Sequence, residues 1–380
     1  MTRYHQMIIG IDVTALSAVP GIDIGYTNTI VAQYRTILQQ AAQGYVDFVV
    51  FRDQRVVGRH HRVAGIDVLT LASRLAPEVA GIGIVVAKSV NYTEPFTVSR
   101  ELATLDFVSG GRAGWHVMSI ADDASAQNYG HAQAIDAATR SSIAAEFVAV
   151  SRQLWDSWED DAVVMDRERG WFLNPHKLHH INHRGSHFAV RGPAITYRPP
   201  QGQVVVLASD DDGHYINVLR DEADIILHHH TTLVAAQQAY HALHQHAQTQ
   251  QREIRVLQRV MPLIAPSTRQ AFARVQDLEV DAAAHGWVLP PAQIMAGTAA
   301  QVADQLALWY NAGAADGFVL VVPELRSDIL TIGTELVPEL QQRGYLRSAY
   351  TTMTLREHLG LAKPLNRYAG VRSEAFVAYD

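Results

Sequence analysis

Short runs of consecutive apolar residues alternate with stretches of helical periodicity along most of this chain. The eight runs cover residues 7–13, 46–52, 81–87, 113–118, 203–208, 223–227, 254–263 and 315–321. Uninterrupted apolar runs of this length are typical of strands that are buried on both faces. Strands that alternate with helices at this spacing predict parallel βαβ units, which close into a barrel or form an open doubly wound sheet.

The clearest unit of this pattern is residues 93–119. Pro95 is tolerated in a first helical turn, and Val98, Leu102 and Leu105 then recur at spacings of four and three, which predicts a helix with one apolar stripe. Residues 109–111 read Ser-Gly-Gly, which is turn chemistry, and the apolar run 113–118 follows. We therefore predict a helix, a glycine turn and a buried strand.

Composition narrows the class of protein. The chain has 380 residues, of which 48% are hydrophobic and 18% charged, so it can bury a large core as two average domains or one large barrel. The formal charge of −7 and the lack of a sustained Lys/Arg run argue against nucleic acid or an anionic membrane as the main partner.

The absence of cysteine and of long apolar spans excludes further classes. With no cysteine, disulfides, thiolate catalysis, iron–sulfur clusters and Cys-ligated zinc are ruled out. The sequence has no 18-residue apolar span, and its N-terminus lacks a basic region leading into a cleavable apolar segment. We therefore expect a cytoplasmic protein.

Several motifs in the chain resemble those of a known family. Residues 94–95 read EP, residues 103–106 read ATLD and residues 109–115 read SGGRAGW, and the segments 337–344 and 354–361 match the family's C-terminal pattern. Together they resemble the bacterial-luciferase-like flavin monooxygenases. Within that superfamily the chain is most similar to the branch of nitrilotriacetate monooxygenase, dibenzothiophene sulfone monooxygenase and pristinamycin synthase.

The resemblance implies an α/β fold, the (β/α)8 TIM barrel, and selects it over the open sheet. It also implies one luciferase-like domain over residues 1–380. Residues 163–202, rich in His, Pro and Gly and poor in helical period, are then expected to be an insertion at the barrel rim between strands 4 and 5. Residues 325–380 are expected to be a helical C-terminal extension.

The family's activity is what the resemblance implies for function. Its members are oxygenase components that use reduced FMN and dioxygen to oxygenate a small organic substrate. A separate flavin reductase supplies the reduced FMN, and a homodimer is the expected assembly. Because the cofactor supplies the reactivity, no side chain of this chain is named as a catalytic acid or base.

In a TIM barrel, functional residues lie at the carboxyl ends of the strands. The resemblance then gives two groups of cofactor-binding candidates. The residues expected around the isoalloxazine ring are Asp53, Ser89, His116 and Ser119. The residues expected near the phosphate are Arg140, Ala208 and Ser209.

The chain departs from the family pattern at the phosphate end. Ala137 and Ser141 stand where the family carries the His and Tyr that help to hold the phosphate, and Asp210 begins an acidic run in the turn after strand 5. Charge-assisted hydrogen bonds contribute roughly 1.5–3 kcal/mol each, so losing two weakens FMN binding by on the order of 10²–10⁴-fold. His116 and Ser119 also differ from the Asn and Thr of close relatives.

These departures leave two other functions open. One is a barrel whose flavin site has degenerated and which acts as a binding or regulatory partner. The other is an oxidoreductase that uses a deazaflavin-type cofactor. A metal site is not expected, although histidines cluster at residues 176–187 and 228–230, because no HExxH motif or evident carboxylate partner accompanies them.

Overall fold

Eight parallel strands close into a barrel in this computed structural model, which describes residues 6–13, 27–52, 66–209, 215–286 and 289–369. The strands are β1 (Ile8–Asp12), β2 (Phe48–Phe51), β3 (Gly83–Ser89), β4 (Ala113–Met118), β5 (Val205–Ser209), β6 (Ile225–His228), β7 (Arg255–Ile264) and β8 (Gly317–Val321). Each strand pairs with the next, and β8 pairs with β1 in parallel. The predicted TIM barrel is therefore confirmed, and an open sheet is excluded.

Helices surround the barrel and follow the strands. They are α1 (Thr27–Gln43), α2 (Val68–Leu75), α3 (Pro95–Ser109), α4 (Asp123–Gln127), α5 (Ala137–Asp156), α6 (Tyr215–Leu219), α7 (Leu233–Thr249), α8 (Thr268–His285), α9 (Ala299–Asn311), α10 (Leu325–Thr331), α11 (Val337–Gln342) and α12 (Leu355–His358). Short 3₁₀ turns lie at Ala76–Glu78 and Pro175–Lys177, and a π-helical turn at Ile332–Leu336 joins α10 to α11.

Two features of the barrel and its helices were not predicted from the sequence. A ninth parallel strand, Gln293–Gly297, pairs with the second half of β7, where Val260 lies opposite Gln293. The helix α8 precedes it and was not predicted either.

A membrane-crossing helix, judged by length and apolar character, is absent from the part of the chain that the structure describes.

The segment between α5 and β5 forms two short antiparallel pairs that are separate from the barrel sheet. Val163–Asp166 pairs with Trp171–Leu173, and His183–Arg184 pairs with Ala189–Val190. Glu146 of α5 fastens the second pair, because its carboxylate accepts hydrogen bonds from His183 Nε2 at 2.9 Å and from two backbone amides of the segment. The domain boundaries given above stay predictions.

Apolar side chains fill the end of the barrel at which the strands begin, here called the barrel floor. Leu355 of the C-terminal extension lies there among inward-facing residues of the strands. Glycine makes room for it: a Cβ on Gly83 would lie 2.5 Å from Leu355 Cδ1, and one on Gly114 would lie 3.2 Å from Leu355 Cδ2. The extension therefore closes the floor.

A repeated hydrogen bond joins neighbouring strands at the floor. Asp47, Asp224 and Asp316 each stand directly before β2, β6 or β8 and are buried. Their carboxylates accept the backbone N–H of Ile9, Val206 and Val256, on β1, β5 and β7, at 2.8–2.9 Å. The same device thus recurs at three strand pairs around the barrel.

Arginines of the C-terminal extension neutralise two of these aspartates. Arg347 lies 2.6 Å from Asp47, and Arg356 donates to both carboxylate oxygens of Asp224 at 3.1–3.2 Å. Burial raises the pKa of Asp47 to about 6 despite Arg347. Burial alone would also raise the pKa of Asp224, but Arg356 and Arg152 lower it. These ion pairs tie the extension to the strands.

The glycine turn before β4 lies at the same end. Gly110 ends α3 in the left-handed conformation, with φ of +68°, and Gly111 follows with φ of +87°. Arg112 then donates hydrogen bonds to the carbonyl oxygens of Ala76, Val79 and Ile82. The predicted glycine turn is therefore present, and its contacts are structural.

Truncating the leucine on the barrel floor is expected to destabilise the fold. Leu355→Ala leaves a cavity between rigid strands, which costs about 2–5 kcal/mol in the free energy of unfolding. Urea denaturation measures the loss. Leu365→Ala is the matched control, because Leu365 is 90% exposed. Equal stability of the two variants would contradict a closed, packed floor.

His358 is expected to give the floor a pH-dependent contribution. Burial lowers the pKa of this imidazole from 6.5 to about 4, and its Nε2 donates to the Thr352 carbonyl at 3.1 Å. The unfolded state therefore binds more protons than the folded state between pH 6.5 and 4. The contribution of His358 to the free energy of unfolding falls as the pH falls through that window. Burial raises the pKa of Asp106 to about 6, as it does for Asp47. These two carboxyl groups therefore increase the free energy of unfolding as the pH falls, which is the opposite of the His358 effect.

Comparison with His358→Gln isolates this effect from the aspartates. Glutamine keeps a donor for Thr352 and does not titrate. The difference in unfolding free energy, wild type minus variant, should fall by about 2 kcal/mol between pH 7 and pH 5. Urea denaturation at both pH values measures the difference, and an unchanged value would contradict a buried, neutral imidazole.

Candidate functional site

A buried polar pair lies at the carboxyl ends of two neighbouring strands, here called the barrel mouth. His116 of β4 and Ser209, the last residue of β5, are joined by a hydrogen bond of 3.0 Å between Nε2 and Oγ. His116 is 0% and Ser209 5% exposed. Imidazole and hydroxyl both donate and accept hydrogen bonds, so the pair can hold a polar heterocycle.

An ion pair joins the ends of the first two strands at the same mouth. Arg52 follows β2 and donates from Nε to Asp12 Oδ2, at the end of β1, over 2.7 Å. Asp53, the next residue and a predicted ring contact, lies outside the described residues. The sequence signal for this pair is a charged residue near the end of each of the apolar runs 7–13 and 46–52.

Asn91 braces the loops that follow β3 and β4. Its Nδ2 donates to the Ile120 carbonyl at 3.0 Å, and its Oδ1 accepts the Ile120 N–H at 2.8 Å. Ser89, predicted as a ring contact, donates its hydroxyl to the same Oδ1 at 2.8 Å. Ser119 is partly buried and directly precedes Ile120. The brace therefore positions both predicted serines.

Tyr92 follows the brace in a strained conformation that the sequence analysis did not foresee. Its φ of +62° is rare for a residue with a side chain, and such outliers concentrate at functional sites. Its ring lies 4.5 Å from the ring centroid of His131 and stacks on Tyr129 at 5.3 Å. Its buried hydroxyl has no hydrogen-bond partner among the described residues.

The predicted phosphate residue Arg140 lies in the first turn of α5 and is 9% exposed. Its Nη1 donates to the Ile135 carbonyl at 2.7 Å, while its buried Nε has no partner within the described part of the chain. An unsatisfied buried donor on a cation fits an anionic ligand. Ala208 instead packs its methyl group in the outer core, so any ligand contact from it is through the backbone.

A cleft opens between the start of α5, the helix that carries Arg140, and α6. Its volume is about 890 Å³, within the range of small-molecule sites. The cleft is lined by Asp136, Ala137, Ala138, Ser141, Ser142, Ala145, Glu146, Asn217 and Val218. Because α5 lies after β4 and α6 after β5, the cleft lies outside the strand ends that carry His116 and Ser209. Ala137 and Ser141, the departures noted above, both line it.

The histidine clusters mostly serve structural contacts. His179 bonds Glu159 and His183 bonds Glu146, each at 2.9 Å. His228 and His230 follow β6 with ring centroids 4.8 Å apart. Within the described ranges, no group of three or more His, Asp or Glu side chains could hold a metal ion. The expectation that no metal is bound stays a prediction.

Removing the Asn91 side chain is expected to loosen the mouth. Asn91→Ala leaves the buried amide and carbonyl of Ile120 without partners, which costs about 2–4 kcal/mol in the free energy of unfolding. Ser89→Ala is the matched control, since it removes one hydrogen bond and costs about 1 kcal/mol. Urea denaturation compares them, and an Asn91→Ala loss no larger than that of Ser89→Ala would rule out the brace.

Comparison with known proteins relates this chain to one family. The family model described as "Luciferase-like monooxygenase" matches residues 53–335. The chain is 29% identical to N-acetyl-S-(2-succino)cysteine monooxygenase of Bacillus subtilis (strain 168), over 88% of this chain and 91% of that protein. It is 28% identical to nitrilotriacetate monooxygenase component A of Aminobacter aminovorans, over 90% and 92% of the two chains.

A solved structure agrees with these matches. The EDTA monooxygenase EmoA from Chelativorans sp. BNC1 superposes with a TM-score of 0.81 and 26% sequence identity. The superposition covers 94% of this chain and 99% of EmoA. Similarity in sequence and in structure therefore extends over nearly the whole of both chains.

Proposed function

Because this chain belongs to the luciferase-like monooxygenase family, which matches residues 53–335, we propose that it is the oxygenase component of a two-component system. It uses reduced FMN and dioxygen to oxygenate a small organic substrate. The family and the monooxygenase class expected from the sequence are both confirmed by the comparisons.

The observation that carries the proposal is the polar pair at the barrel mouth. His116 and Ser209 are buried at the ends of adjacent strands, where TIM-barrel enzymes place their chemistry. We assign the isoalloxazine ring to this position, with Ser89 at the end of β3 and Ser119 directly after β4 as further contacts. Asp53 remains a predicted contact. Arg140, with its unsatisfied Nε, is the cation available to the phosphate, together with the Ala208–Ser209 backbone.

Bound flavin supplies the redox chemistry, and the protein binds it, orients it and excludes water. The leucines of the barrel floor close the end opposite the mouth, so solvent is kept from the ring on that side. Tyr92, in the loop after β3, has a buried hydroxyl without a partner among the described residues, and this hydroxyl is a hydrogen-bond donor that could bind the substrate.

A flavin reductase is the partner that this activity requires, because the oxygenase receives its flavin already reduced. The relative from Aminobacter aminovorans is named as component A, which fits a system of several components. We propose a transient reductase contact and a homodimeric oxygenase. The regulatory and deazaflavin alternatives are not retained, since relatives that match about nine-tenths of the chain are named monooxygenases.

The function is tested by a coupled assay with a flavin reductase, NADH, FMN and ¹⁸O₂. The substrate panel is N-acetyl-S-(2-succino)cysteine, nitrilotriacetate, dibenzothiophene sulfone and dimethyl sulfide, the compounds in the names of relatives. Mass spectrometry should detect a product that carries one ¹⁸O atom. Failure to bind reduced FMN, with no labelled product, would refute the proposal.

A variant pair connects this activity to the mouth. His116→Ala removes the partner of Ser209 and is expected to weaken reduced-FMN binding by roughly tenfold, the effect of one lost hydrogen bond. His176→Ala is the matched control, because His176 is exposed in the segment between α5 and β5. Anaerobic titration measures both affinities. Equal affinities would place the ring elsewhere.

A further inference from the structure

The cleft beside α5 carries two fixed negative charges. Asp136 caps the helix by accepting Thr139 N–H at 3.0 Å, and this capping lowers its pKa. Burial alone would raise the pKa of Glu146, but hydrogen bonds from His183 and two backbone amides lower it. Both carboxylates are therefore ionised at neutral pH. Both are also held by hydrogen bonds within the protein, so they cannot turn away from a ligand without losing them.

Positive charge in this region is smaller. None of the described residues that line the cleft is Lys or Arg. Arg140 stands nearby in the same helix, with one guanidinium nitrogen already used by the Ile135 carbonyl. Two carboxylates thus oppose one partly engaged guanidinium.

Uncharged residues occupy the rest of the cleft. Ala137 has no polar side-chain atom, and Ser141 donates its hydroxyl to the Ala137 carbonyl at 2.9 Å, inside the helix. Asn217 is a neutral amide. The lining therefore offers room and neutral hydrogen-bonding groups, which suit the hydroxyls of a sugar-like chain, and offers little to a dianion.

From this charge balance we propose that the cleft accepts the ribityl end of the flavin without selecting for its phosphate, so that riboflavin binds as well as FMN. The inference rests on the proposed function. A flavin phosphate carries a charge near −2, so the repulsion from Asp136 and Glu146 offsets the attraction of Arg140. A built phosphate site with two charge-assisted hydrogen bonds would instead favour FMN by roughly 100-fold or more.

The test is a pair of anaerobic titrations of the purified protein, one with reduced FMN and one with reduced riboflavin, each followed by quenching of the protein's tryptophan fluorescence. The dissociation constants should differ by less than about tenfold at moderate salt, or favour riboflavin. A preference for FMN of tenfold or more overturns the inference while leaving the proposed function in place. Binding of neither flavin overturns both.

A variant tests the role of charge directly. Asp136→Asn keeps the helix cap, since Asn and Asp cap equally well, and removes one negative charge. FMN affinity should rise by about threefold to tenfold, with riboflavin affinity unchanged. Asp67→Asn is the matched control, because Asp67 caps α2 through the same kind of hydrogen bond and does not line the cleft. An equal change for both flavins, or none, contradicts the charge account.

Discussion

Buried carboxylates at the floor of the barrel join neighbouring strands to each other and to the C-terminal extension. Asp47, Asp224 and Asp316 each accept a hydrogen bond from a backbone amide of the adjacent strand. These bonds join three strand pairs at the floor of the barrel. Burying a carboxylate is costly unless it is paired and hydrogen-bonded. Arg347 and Arg356 provide that pairing from the C-terminal extension, so the extension and the strands of the barrel are stabilised together.

This arrangement separates stability from chemistry along the barrel axis. The floor is filled by leucines and neutralised charges, whereas the mouth carries the polar pair of His116 and Ser209 and the strained Tyr92. Strain of this kind persists only where neighbouring contacts enforce it. At the mouth, Asn91 supplies such contacts, because its two hydrogen bonds to the Ile120 backbone join the loops after β3 and β4.

The parallel strands were predictable because strands buried on both faces appear in the sequence as unbroken apolar runs. Those runs fit an open sheet equally well, and the family resemblance selected the closed barrel. The helix α8 was missed because Ala271 and Ala282 are buried while most of their neighbours are exposed, which leaves little periodic signal. The strand Gln293–Gly297 is short and only partly buried. The bonds that Asn91, Asp12 and Ser209 make depend on how separate strands meet, and no local pattern encodes them. Residue positions at the mouth were predictable; their partners were not.

A crystal structure of the protein with FMN bound tests the assignment of the flavin to the barrel mouth most directly. We expect isoalloxazine density at the carboxyl ends of the strands, with a polar ring atom within hydrogen-bonding distance of His116 or Ser209. Flavin density outside the barrel mouth, with the His116–Ser209 pair untouched, would contradict it.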